Sequence, residues 1–113
     1  MYHIDVYMPQ QAYEYMSNRI VMPTYSMHAV DKTTKSKYGN FTLPRIIDLS
    51  TWKLIEAEIV DNKLYKILIR KNIDEYRSLC LVLLTQRYFV KTAWINLVSD
   101  NHSSLERSHY ERN

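Results

Sequence analysis

The last hydrophobic stretch of the chain carries polar side chains at every second position. In the segment 91–96, with the sequence KTAWIN, alternation along a strand puts Thr92, Trp94 and Asn96 on one face. The intervening apolar residues, together with Phe89 and Leu97, fall on the other face. Polar groups therefore gather on the face opposite the predicted core.

Charged residues of two earlier stretches are predicted to share that face. In a simple antiparallel register, Glu56 and Glu58 point from it, as do Lys66 and Arg70. Cleavage of RNA without a metal needs a base for the 2′-hydroxyl proton, an acid for the leaving oxygen and cations for the phosphate charge. Glutamate, histidine and arginine or lysine supply these groups, so the face is a candidate ribonuclease site.

Further residues are suited to holding RNA. His28, Lys32 and Lys35 have the spacing of one helix face and would form a basic strip, while Tyr88 and Trp94 offer planar rings for unstacked bases. Simpler interpretations remain: a solvated lysine face, a packing role for Trp94, a strand-forming role for Thr92 and a turn-forming role for Asn96. Lys91 alternates onto the core side, which requires an edge position, a snorkelling side chain or a bulge.

The composition excludes several classes of site. Gly39 is the only glycine of the sequence, which rules out glycine-rich phosphate loops. The four histidines and one cysteine lack the close spacing of zinc ligands, so we expect no metal and no cofactor. Cys80 lies in an apolar run, where it is expected to be a small buried hydrophobe of a protein in a reducing compartment.

Length and charge predict one domain with an anionic partner. The 113 residues are 46% hydrophobic, which suits a single core, and 15 Lys and Arg against 12 Asp and Glu give a net charge of +3. No apolar run is long enough for a membrane helix, and no leader pattern begins the chain. We therefore expect a cytoplasmic protein, acting in the host cell if it is phage-encoded, with no membrane partner.

The periodicity predicts an α+β fold, with N-terminal helices packed on a four-stranded antiparallel meander sheet and a short C-terminal helix or tail. One helix follows Pro9, and a second spans 27–38 between an N-cap at Ser26 and a stop at Gly39. Strands are predicted at 52–60, 63–71, 79–84 and 88–98. Residues 1–24 form an N-terminal strand and helix extension of the single domain 1–113, and residues 25–110 form its core.

Two segments resemble a known group of nucleases. The segment 90–96, followed by Asp100, His102, Leu105 and Tyr110, is similar to the C-terminal signature of the group that joins barnase, EndoU, the ribonuclease colicins and RelE, with its phage-associated branch the closest. The segment 26–29, SMHA, resembles the helix motif that opens many members. Those members usually carry arginine where this chain has Lys32 and Lys35. The resemblance covers about residues 25–110.

The resemblance implies a metal-independent endoribonuclease fold of the kind used as toxins and phage effectors. It assigns the helix histidine to His28 and the last-strand polar pair to Thr92 and Asn96, with His102 and Tyr110 after them. From the face geometry we add Glu58, Lys66 and Arg70. In this scheme His28 or Glu58 is the base, His102 is the acid, and Arg70 with Lys91 stabilises phosphate charge.

Two other functions remain open. A non-catalytic phage accessory protein of the same fold could bind and inhibit a host protein or nucleic acid, and ten tyrosines suit such an interface. A structural phage component is the third possibility. RNA is the expected partner of the enzyme, with an antitoxin, immunity or host protein as a possible second partner, and the oligomeric state is left open.

Overall fold

The computed structural model describes residues 4–5 and 9–100. Within these residues two α-helices and eight strands follow one another in this order: β1 (Ile4–Asp5), α1 (Gln10–Met16), β2 (Ile20–Val21), β3 (Thr24–Tyr25), α2 (Met27–Lys32), β4 (Ile47–Asp48), β5 (Lys53–Val60), β6 (Lys63–Asn72), β7 (Arg77–Leu84) and β8 (Phe89–Leu97). A 3₁₀ turn, Leu49–Thr51, leads into β5. In the part of the chain that the structure describes, neither helix has the length and apolar character needed to cross a membrane.

The main sheet has six strands in the order β1-β5-β6-β7-β8-β3. The four long strands, β5 to β8, pair antiparallel in chain order, while β3 pairs with β8 in parallel. The β5–β6 turn places Asp61 and Asn62 at φ values of 50° and 67°, a conformation that these residue types tolerate. The α+β class is confirmed, but the sheet is mixed and six-stranded because β1 and β3 extend it at its two edges. The expected four-stranded antiparallel sheet was therefore too small.

The two faces of the sheet are both buried, and they differ in what packs on them. The core face contacts both helices through Ala12, Met16 and Ala29, and Val21 joins the same cluster. Residues before position 25 thus contribute to the same core as the long strands. The second face carries a smaller apolar cluster formed by strand residues alone, namely Ile55, Leu68, Cys80, Val82 and Trp94.

Bulges change which side chains reach each face. An irregularity between Leu54 and Glu56 leaves Ile55 as the extra residue, so Leu54 lies in the core and Ile55 on the second face. Strict alternation would instead put Leu54 on the face of Glu56 and Glu58, and Ile55 in the core. In β8 the register shifts between the partners of Val82 and Leu83, which makes Lys91 the extra residue. A bulge adds one residue to one strand and so inverts the alternation beyond it.

Helix α2 is shorter than its sequence pattern predicted. Ser26 caps it as expected, since its Oγ accepts a hydrogen bond from the Ala29 amide at 3.0 Å. The helix ends at Lys32, where Thr33 Oγ1 donates to the Val30 carbonyl at 2.7 Å. Short hydroxyl side chains compete in this way with the helical backbone pattern. Lys35 therefore lies beyond the helix rather than on its basic face.

The β6–β7 loop is held by Asp74. Its carboxylate accepts hydrogen bonds from the backbone amides of Tyr76 and Arg77 at 2.9 and 2.8 Å, and from Arg77 Nε at 2.7 Å. The Arg77 side-chain bond, followed by the Tyr76 amide bond, lowers the pKa of Asp74 below its usual 3.8. Arg77 also donates to the carbonyls of Tyr38 and Asn40, which connects this loop to the segment after α2.

We expect Asp74→Asn to lower the free energy of unfolding at neutral pH, because the charged acceptor for Arg77 is lost. A carboxylate with a depressed pKa stabilises the fold above its unfolded-state pKa and loses that contribution as pH falls through the folded value. The difference between wild type and variant should therefore shrink below about pH 3.8. Urea unfolding from pH 7 to pH 2 measures it, and a difference that stays constant with pH would contradict this role.

Candidate functional site

The strand registers bring the predicted catalytic face together. Directly paired residues share a face of the sheet, and the pairs run across all four long strands. One row joins Glu58, Lys66 and Leu84, and the next joins Glu56, Leu68, Val82 and Thr92. Two further rows contain Arg70, Cys80 and Trp94, then Asn72, Ser78 and Asn96. All six polar residues expected on one face thus lie on the second face.

Glu58 and Lys66 form an ion pair on this face. The Lys66 Nζ and Glu58 Oε2 atoms are 3.7 Å apart, and the two side chains are only 19% and 16% exposed. The carboxylate is thereby matched with the ammonium group that was expected to bind RNA. The two opposite charges therefore balance each other within the sheet.

Arg70 fixes the chain that leaves β8. Its side chain is 7% exposed, and its guanidinium donates to the carbonyls of Leu97 and Asp100 at 2.7 and 2.5 Å, with a longer bond to Val98 at 3.4 Å. A guanidinium presents several donors in a rigid fork, which suits it to hold successive carbonyls. The side chain expected to stabilise phosphate charge therefore organises the end of the sheet.

The polar atoms of the last-strand pair are buried. Thr92 Oγ1 and both polar atoms of the Asn96 amide are inaccessible, and no described residue forms a hydrogen bond with them. Trp94, 1% exposed, packs against Cys80 and Val82 in the cluster of the second face. An indole enclosed in this way cannot stack on a base. Trp94 therefore has a packing role in this structure. Burial also raises the pKa of the Cys80 thiol to about 12, with Arg70 opposing the shift.

A bulge explains why Lys91 does not lie in the core, where strict alternation would put it. Val90 and Ala93 both face the core while Lys91 is exposed, because the extra residue turns outward. The Lys91 carbonyl accepts a hydrogen bond from Ser26 Oγ at 2.7 Å, which joins the bulge to the N-terminus of α2. Exposed His28 and half-buried Lys32 lie on that helix. We call His28, Lys32 and Lys91 the edge surface.

Tyr88 belongs to a cleft that the sequence analysis did not identify. The aromatic cleft, of about 510 Å³, is lined by the two cations Arg19 and Lys63, by the acidic Glu14, and by neutral residues that include Tyr15 and Tyr88. The Arg19 guanidinium lies 4.2 Å from the Tyr15 ring centroid and donates to the Tyr88 hydroxyl at 3.0 Å. The four-residue separation of Tyr15 and Arg19 was the available signal for their contact, but nothing in the sequence indicated Tyr88 as their partner.

The cleft contains a residue with an uncommon backbone conformation, Tyr88, and a tyrosine with a raised pKa, Tyr15. Tyr88 adopts φ +52°, which is uncommon for a bulky residue and typical of positions where surrounding contacts impose a conformation. Tyr15 donates from its hydroxyl to the Thr85 carbonyl at 2.8 Å. Burial raises the pKa of Tyr15 to about 12, Tyr88 adds to the shift, and Arg19 opposes it. The Tyr15 hydroxyl is thus a fixed neutral donor.

The remaining predicted residues are distributed outside these clusters. Lys35 is exposed beyond α2 and lies 3.9 Å from Asp31 in an ion pair. His102 and Tyr110 lie outside the described residues. Among residues 4–5 and 9–100, no three His, Cys, Asp or Glu side chains come together as a metal site.

Thr92→Val should leave the free energy of unfolding unchanged or raise it by up to about 1 kcal/mol, because it removes a buried hydroxyl that has no described partner. Thr85→Val is the matched control, since Thr85 Oγ1 is buried and donates to the Leu64 carbonyl at 2.8 Å. That control should lose about 1 to 2 kcal/mol. Urea unfolding followed by circular dichroism compares them, and equal losses would show that Thr92 has a hydrogen-bond partner.

Comparison of the chain with protein-family models gives no match, and comparisons with curated proteins and with solved structures give no significant match either. The resemblance to the nuclease group of barnase, EndoU, the ribonuclease colicins and RelE therefore stays a prediction.

Proposed function

We propose that this protein binds single-stranded RNA through the aromatic cleft and the edge surface, and that it cleaves the RNA without a metal in the manner of a toxin or phage-effector endoribonuclease. The observation that carries the proposal is the contact of Arg19 with Tyr15 and Tyr88 in an open cleft. Aromatic rings beside cations are the elements that bind unpaired bases together with their phosphates.

The cleft supplies both components of such binding. The half-exposed Tyr88 ring offers a surface for one base, and Arg19 and Lys63 supply positive charge for the adjoining phosphates. The same stretch of chain continues into β8, where the bulge exposes Lys91 beside α2. A strand of RNA that follows β8 from Tyr88 would reach Lys91 and then His28.

His28 is the group proposed for proton transfer. Among the four histidines of the sequence, His28 alone lies within the described residues. It is exposed, and it lies one turn of α2 before Lys32. Its imidazole can take the 2′-hydroxyl proton as a general base, while the neighbouring cations offset the charge that develops on phosphate. A catalytic role for Thr92 or Asn96 requires that the second face open, because their polar atoms are buried.

A second function is favoured by a different observation. Several large apolar side chains around β2, β3 and α2 are exposed, including Ile20 at 67%, Met22 at 74% and Met27 at 78%. Exposed apolar residues in one region are typical of surfaces that bind other proteins. A non-catalytic accessory protein that binds a host protein or nucleic acid is therefore the alternative.

Tyr88→Asn should weaken binding of a short fluorescent RNA by about 5-fold to 100-fold, the loss expected when one stacked base loses its ring. Asparagine is chosen because it tolerates the positive φ of this position. Tyr76→Asn is the control, since Tyr76 is 73% exposed in the β6–β7 loop, away from the cleft. Fluorescence anisotropy measures both affinities.

The salt dependence of RNA binding tests separately whether Lys91 contacts a phosphate. Lys91→Gln should reduce the slope of log K against log salt by about 0.7, the contribution of one phosphate contact on a single strand. Arg45→Gln, an exposed cation elsewhere, should leave the slope unchanged. Equal effects of Tyr88→Asn and Tyr76→Asn, or no binding by the wild type at low salt, would exclude this RNA site.

His28→Ala should lower the rate of RNA cleavage in EDTA by about 100-fold or more, the usual contribution of a general acid or base. Tyr76→Asn, in the exposed β6–β7 loop, serves as the control and should leave the rate unchanged. Circular dichroism establishes that each variant is folded. Wild-type RNA binding without cleavage would favour the accessory protein over the enzyme.

A further inference from the structure

We propose that the protein binds a small phosphate-bearing anion in a second cleft, at the opposite end of β6 from the aromatic cleft. This basic cleft has a volume of about 440 Å³ and is lined by Thr51, Lys53, Arg70, Lys71, Asn72 and Val98. Three of these six residues are cations and none is acidic. Lys63, in the aromatic cleft, begins β6, whereas Asn72 ends it.

The sheet register forces two of the cations together. Lys53 of β5 pairs directly with Arg70 of β6, so both side chains leave the same face at the same row. Like charges placed directly opposite each other on paired strands destabilise a sheet. Of the ion pairs within the described chain, none involves Lys53, Arg70 or Lys71. An anion bound over this row of the sheet would convert this repulsion into attraction.

Arg70 provides an independent indication. The side chain is 7% exposed, and its hydrogen bonds in the described structure go to neutral carbonyl oxygens of residues 97–100. Carbonyl groups satisfy the donors of a guanidinium but carry no net charge to balance it. A buried charge without a counter-charge is costly, and the cost falls when an opposite charge is bound nearby.

Lys71 is held in position at the other side of the cleft. Its Nζ donates to Thr51 Oγ1 at 3.0 Å and lies 5.9 Å from the ring centroid of Trp52. Thr51 Oγ1 in turn donates to the Asp48 carbonyl at 2.8 Å, which directs a lone pair of its oxygen to the ammonium group. The cation is therefore placed at the cleft before any ligand arrives.

The charge and size of the cleft indicate the class of ligand. Three cations match the two or more negative charges of a phosphomonoester or diphosphate better than the single charge of a carboxylate. The volume lies within the range of clefts that hold small organic molecules and exceeds the need of one inorganic ion. The ligand class is therefore a small phosphorylated molecule, with its phosphate contacting Lys53 and Lys71 and attracted by the buried charge of Arg70.

Inorganic pyrophosphate is the probe for this site. Titration calorimetry with the wild-type protein should show saturable binding, and intrinsic fluorescence should change with it because Lys71 adjoins Trp52. The sequence has two tryptophans, and Trp94 is buried in the second face. Trp52→Phe should therefore abolish the fluorescence change while leaving the calorimetric binding in place.

Lys53→Gln and Lys71→Gln should each weaken pyrophosphate binding by about tenfold, the loss expected for one charge-assisted hydrogen bond. Arg45→Gln removes the same charge from an exposed position elsewhere and should change the affinity less than about twofold. Both lysines are exposed or at the rim, and matched urea midpoints establish that the variants are folded.

The outcome is separable from the RNA proposal because the two clefts share no residue. Absence of saturable pyrophosphate binding, or equal weakening by Arg45→Gln, would overturn the site. Displacement of pyrophosphate by a short RNA at lower concentration, lost in Lys53→Gln but kept in Tyr88→Asn, would identify the cleft as a nucleic-acid contact and overturn the small ligand.

Discussion

Strand β7 is buried on both of its faces, and this burial governs the strands and polar groups around it. Every residue of β7 from Ser78 to Leu84 is buried. The central residues of the neighbouring strands β6 and β8 are buried as well. Charged groups on the second face then bond within the protein because little water reaches them, whereas no described residue bonds Thr92 Oγ1 or the Asn96 amide. Glu58 pairs with Lys66, and Arg70 bonds the chain after β8, for this reason.

Because the central strands are buried, the side chains that a ligand can reach lie at the margins of the sheet. The polar atoms of Thr92 and Asn96 are buried within the second face, whereas the two clefts lie where strands end or turn. At those places side chains from different strands converge without being covered. The proposed RNA site and the proposed anion site both follow from this geometry.

Bulges determine how the margins are built. The extra residue at Lys91 turns a lysine outward while Val90 and Ala93 stay in the core, and it places a carbonyl where Ser26 can bond to it. One local irregularity thus sets the exposure of a cation and the attachment of α2. The irregularity beside Ile55 supplies one of the apolar residues that fill the second face.

Patterns in the sequence predict the α+β class, the long strands, the cap at Ser26, the turn at Asp61 and Asn62, and the shared face of Glu58, Arg70 and Asn96. These features depend on short periods and local hydrogen bonds, which a single chain displays directly. Four features appear only once the chain is folded: the pairing of the two edge strands, the bulges, the burial of Trp94, and the contact of Arg19 with Tyr88. These depend on pairing between distant residues, because a bulge or a cleft exists only once two strands have been placed side by side.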